Sequence, residues 1–150
     1  MGYRAGEALV LAQVQAVTGF GASNTSRGRY QILNTGLAAV YAILRKGEWR
    51  MDWIGTGRAR FTWTTIVEVW QRWRDDGTTL TDLEANVDTL ITRFLQYRKL
   101  GDTTDAVNDS DPRRGGEPVE KWRAGGNGPA WLMADIVVEW TEEQAVTFEE

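Results

Sequence analysis

Two spacings of apolar residues alternate along the chain, one near 3.6 and one of 2, and they divide it into helices and strands. Val10, Val14 and Val17, with Leu11 beside them, recur at helical spacing and predict a first helix over residues 6–17, stopped by Gly19. The segment GFGASNTSRGR that follows is rich in Gly, Ser, Asn and Arg and reads as a polar loop over residues 19–30. In LAAVYAILR, residues 37–45, Leu37, Val40, Tyr41 and Leu44 fit a helix, while the same run fits a short buried strand; the spacing leaves both open.

Strict alternation then takes over. Trp49, Met51 and Trp53 alternate with Arg50 and Asp52, and Gly55 and Gly57 make a turn. From Arg58 to Trp73, Phe61, Trp63, Thr65, Val67 and Val69 face one way, and Thr62, Thr64, Ile66, Glu68 and Trp70 the other. β-branched and aromatic residues dominate, which predicts one long strand ended by the turn Asp75-Asp76-Gly77. A capping box at Thr81 and Glu84 is expected to open the second helix, whose apolar stripe is Leu83, Val87, Leu90, Ile91, Phe94 and Leu95, and Gly101 ends it. Residues 101–117 read as a second polar loop, 118–123 as a short strand, and 125–129 as a turn. Trp131–Trp140 alternates again, and residues 141–150 form an acidic C-terminal tail with room for a short strand through Val146 and Phe148. The order predicts a single α+β domain over residues 1–150: an antiparallel sheet with an extended hairpin and two main helices packed on one face.

Composition narrows the chemistry. The 150 residues contain no His and no Cys. This removes disulfides, thiol nucleophiles and thiolate metal sites, and suits a chain made in a reducing cytoplasm. Neither a signal peptide nor an apolar run of about 20 residues is present, so a soluble protein, intracellular when made and without membrane contact, is expected. The net charge of −4 is unevenly spread: residues 1–60 carry eight Lys/Arg against three Asp/Glu, and residues 61–150 nine against eighteen, that is +5 and −9. Such a division suits ordinary solvated surface, or a subunit whose two sides attract in a head-to-tail ring.

Candidate sites follow from the same inventory. Ser23, Ser26 and Ser110 have no His to activate them, neither GxSxG nor a P-loop is present, and no enzyme activity, cofactor or metal is expected. Asp75-Asp76 reads as an acidic turn before it reads as a metal site, and Asp102, Asp105, Asp109 and Asp111 as a solvated loop. Arg58 and Arg60 beside Trp49, Trp53, Phe61 and Trp63 would suit single-stranded nucleic acid, although alternating aromatics usually fill a core. Eight Trp exceed what one small core readily absorbs. Trp49, Trp53, Trp122, Trp131 and Trp140, with Arg58 and Arg60, are therefore candidates for subunit contacts, and Trp63 and Trp70 for the core.

The segments AVYAILRKGEW, RARFTWTTIVEVWQRW, TTLTDLE, GGEPVEKW and WLMADIVVEW, in that order behind an N-terminal helix, resemble tail terminator (tail completion) proteins of long-tailed bacteriophages over roughly residues 5–140. The resemblance is one of layout, without a diagnostic motif. It implies an α+β fold and a homo-hexameric ring that caps the tail tube. The ring would meet a head-side connector or neck protein, with genomic DNA passing through the lumen. It also implies a virion location and requires residues 37–45 to be strand. A head-closure ring protein of the same junction is the near alternative, and a single-stranded nucleic-acid-binding module the alternative of another class.

Overall fold

A computed structural model describes residues 2–104, 106–122, 126 and 128–146. Arg123, Gly125 and Asn127 of the turn over 125–129, Asp105 and Phe148 lie outside the described residues. Three helices, α1 (Tyr3–Gln15), α2 (Ile32–Thr35) and α3 (Asp76–Gln96), accompany a seven-stranded sheet. The strands are β1 (Thr25–Arg27), β2 (Val40–Lys46), β3 (Arg50–Gly55), β4 (Arg58–Arg72), β5 (Asp111–Arg114), β6 (Val119–Trp122) and β7 (Pro129–Ala145). Residues 40–46 are thus strand, which resolves the ambiguous segment.

The sheet is organised by one antiparallel ribbon. β4 and β7 pair without a break from Arg58↔Ala145 to Arg72↔Trp131. β2 covers the inner part of the free edge of β4 and β3 its outer part; β6 and β5 line the free edge of β7. The sheet is mixed, because β1 joins β2 in parallel from within the expected loop. Asn24, nearly buried, holds that turn through Gly21 N, Gly19 O and Val40 O. A polar stretch becomes strand here because a side-chain amide supplies the hydrogen bonds that water would otherwise make.

Because side chains alternate along a strand, the ribbon has one face under the helices and one behind. Trp63, Val67 and Val69 of β4 and Leu132, Ile136, Val138 and Trp140 of β7 form the covered face. They join Val10 and Val14 of α1 and Leu83, Val87, Leu90 and Phe94 of α3 in one cluster. Gly6 lets α1 approach closely, since a Cβ there would stand 2.5 Å from the Trp140 ring. Leu95, expected in the apolar stripe, is exposed; the stripe that reaches the sheet is narrower than the spacing allowed.

Helix α3 begins earlier than the Thr81/Glu84 box. Asp75 is the N-cap, its carboxylate accepting from Thr78 N at 2.7 Å, while the buried Thr79 hydroxyl accepts from Arg74 N and Asp75 N. Thr79 thereby ties the helix start to the end of β4, and the expected acidic turn is instead the cap and first turn of the helix. The second polar loop is likewise more ordered than its composition suggests. It contains β5, and the buried Val107 bridges to Glu142.

Candidate assembly surface

Beyond the helices the covered face of the ribbon continues onto the β3–β4 hairpin. β3 is exposed throughout, and the pairing Met51↔Phe61 and Trp53↔Ala59 puts Met51 and Trp53 on the same face as Trp63. Trp49 follows that face, stacked at 6.4 Å on Phe61 and 5.4 Å from Trp63. Trp49 and Trp53 are each 53% exposed, and Met51 adds to the same apolar strip. Lys46 closes its inner end, with Nζ 5.0–5.6 Å from the rings of Tyr3, Trp49 and Trp63. The hairpin is therefore stiffened from below by a packed aromatic row while its outer side faces solvent. Gly57, at φ +75°, makes its tip, and its carbonyl accepts from Val146 N at 2.7 Å.

The candidate residues divide. Trp49 and Trp53 lie on this strip. Arg58 and Arg60 point to the opposite face, where each donates to the Glu143 carboxylate at 3.1 Å. Trp140 is in the core, 1% exposed and stacked on Tyr3 at 5.7 Å; Trp131 is also buried, with the Arg72 guanidinium 4.5 Å from its ring centroid. Trp140 is a correction to the expected contact set, since it presents no surface to a neighbouring subunit; Trp131 keeps only a small part of its ring at the surface, on the rear face away from Trp49 and Trp53. Trp122, 64% exposed, lies at the other end of the ribbon. The structure thus unites Trp49 and Trp53 and separates them from Arg58, Arg60 and Trp122.

The first half of the expected acidic tail, residues 141–145, belongs to β7. Glu142, on the covered face and 1% exposed, accepts from Trp63 Nε1 at 2.9 Å and from Gln144 Nε2 at 2.8 Å. Partners on β4 neutralise or hydrogen-bond these acids, so the strand continues past Trp140.

The rear face carries a polar cluster. Arg45 Nε meets Glu68 at 2.8 Å, with Asp135 at 3.9 Å, and Trp70 Nε1 donates to Glu68 at 3.3 Å. Burial, then hydrogen bonding to Glu68, pushes the Tyr30 hydroxyl up to about 12, and burial raises Asp135. Together they make Glu68 the hub of the rear face. Trp70, expected in the core, is half-buried in this rear-face cluster, and Glu68, an acid amid a β-branched strand, was the signal for the rest of it.

The acidic positions considered for metal have other work. Asp102 accepts from the Thr104 hydroxyl, Thr104 N and Val107 N, bonds that hold its carboxyl down at about 2. Asp109 pairs with Arg98 and Asp111 with Arg113. Among the described residues no helix is long and apolar enough to cross a membrane, and no three acidic side chains cluster as metal ligands do.

No family model and no curated protein sequence matches the chain.

Proposed function

We propose that this chain is a structural ring subunit of the head–tail junction of a long-tailed phage, most specifically a tail terminator that closes the end of the tail tube. The observation that carries the reading is the hairpin strip of Trp49, Met51 and Trp53, exposed and continuous with the core face. Contiguous exposed apolar surface on a rigid support marks an association site, and Trp is prominent among residues that dominate interfaces. A hairpin that projects from one end of a subunit reaches a different surface of its neighbour. Repetition of that heterologous contact closes a ring when the rotation allows. The division of charge along the chain supports the same geometry.

The function is performed by binding: hairpin to neighbouring subunit, one ring face to the tail tube protein, the other to the connector, and DNA through the lumen without sequence readout. The Glu143 partner of Arg58 and Arg60 weighs against phosphate binding at those arginines. Light scattering over a range of concentrations tests the ring. A species near six times 16.9 kDa is expected, weakened by Trp53→Ala. A protein that stays monomeric at every concentration, both alone and with purified tail tubes, would remove the reading. Retention on tail tubes, as against on connectors alone, separates a terminator from a head-closure protein.

A further inference from the structure

At the end of the ribbon opposite the hairpin, on the rear face, a cleft of about 730 Å³ opens between the α2 segment and β6. Its walls are Tyr30, Trp70, Trp122 and Trp131, with Arg72 and Lys121 among them. Tyr30 meets Trp70 edge-on at 6.2 Å, and Trp70 meets Trp131 edge-on at 6.4 Å, so the rings form a fixed aromatic wall. Arg72 is fixed as well. It donates to the carbonyls of Gly36 and Ala38, both neutral acceptors, and forms no ion pair among the described residues. The acids of the same face, Glu68 and Asp135, pair with Arg45, and Asp135 also lies within the field of Lys121. A ring-lined cleft with two cations suits a short segment that combines an aromatic side chain with carboxylates.

The chain contains such a segment. Residues 147–150 read Thr-Phe-Glu-Glu and follow Val146, which is tied to the hairpin tip through Gly57. The cleft is lined by Ala130 and Trp131 at the start of β7, so 16 residues of extended strand separate it from Val146. That is about 50 Å at strand rise. Four residues span at most about 14 Å, so this segment cannot reach the cleft of its own chain.

We propose that residues 147–150 of one copy seat in this cleft on the next copy, Phe148 among the rings and Glu149 and Glu150 beside Arg72 and Lys121. Donor and acceptor lie at opposite ends of the ribbon, so the contact is head-to-tail and propagates from copy to copy. It rests on the ring reading and names the contact that links the subunits.

The test uses a fluorescein-labelled peptide AVTFEE, residues 145–150, titrated with the full chain carrying Phe148→Ala, and read by anisotropy. Saturable binding is expected. It should weaken at least tenfold with Trp122→Ala, weaken with added salt, and disappear for the peptide AVTFKK. No saturation up to millimolar chain, or equal binding to the Trp122→Ala chain, overturns the proposal. Light scattering keeps its failure distinct from that of the ring. A six-fold species that persists in a Phe148→Ala, Glu149→Lys, Glu150→Lys chain removes the docking and leaves the ring. Peptide binding by a chain that forms dimers or open chains of varying length, and no six-fold species, leaves the docking and removes the ring.

Discussion

At the inner end of the β4–β7 ribbon, Val67, Val69, Ile136 and Val138 are completely buried beneath α1 and α3; at the outer end, Trp49, Met51 and Trp53 occupy the same face and stand exposed. The residue types are alike at both ends. What differs is cover: the helices are shorter than the strands they lie on, because each helical residue advances about 1.5 Å and each strand residue about 3.3 Å. A 17-residue strand therefore outruns the layer above it. The comparison teaches that an apolar face acquires its role from its position along the ribbon, as core under the helices and as contact surface past them.

The sharpest way to break this comparison is to truncate one covered Trp and one exposed Trp. Trp140→Ala should lower folding stability by about 3–5 kcal/mol, because a buried ring stacked on Tyr3 leaves a cavity. Urea denaturation measures it, and a loss under 1 kcal/mol would show that Trp140 is not a core residue. Removing the joint between helix and ribbon comes next. Thr79→Val strands the N–H groups of Arg74 and Asp75 and should cost about 1–3 kcal/mol, read from the thermal midpoint. At the outer end, Trp53→Ala should change folding stability by only about 0.5 kcal/mol while reducing the mass seen by light scattering. Equal loss of stability in the two Trp variants would erase the distinction between core and contact surface.

The smallest expected effect concerns acid. Asp102 is held down at about 2 by its hydrogen bonds to Thr104 and Val107, below its ordinary value of 3.8. Its contribution is full above pH 3.8 and fades as pH falls through 2. A wild-type chain should therefore lose more stability between pH 4 and pH 2 than Asp102→Asn does. Identical slopes for the two proteins would show that the loop does not depend on the ionised form. Helix content by circular dichroism along the same titration should be nearly unchanged above pH 4.

Much of the fold was legible because period is a local property. The alternation from Phe61 to Val69 and the spacing Leu83, Val87, Leu90 and Phe94 each named an element and its buried side. The start of α3 was misplaced because two capping signals stood six residues apart. Burial of the Thr79 hydroxyl against the end of β4 selected Asp75 over Thr81. β1 and β5 were missed because short polar strands derive their order from a neighbour: Asn24 reaches Val40 for one, and β7 offers its edge to the other. At the candidate site, Trp49 and Trp53 were identified by alternation. Trp140 was misassigned because alternation reports which face a ring takes and not what lies over that face.

The sequence by itself determined the periods, hence the long ribbon strands, the two long helices and the side each turns inward, because backbone geometry converts spacing into direction without reference to the rest of the chain. Only the tertiary structure decided where the helices stop along the ribbon. It thereby set which Trp is covered and which is exposed, and it brought Glu142 and Glu143 against Trp63, Arg58 and Arg60. Those outcomes depend on contacts some eighty residues apart, and no local pattern encodes a contact at that separation.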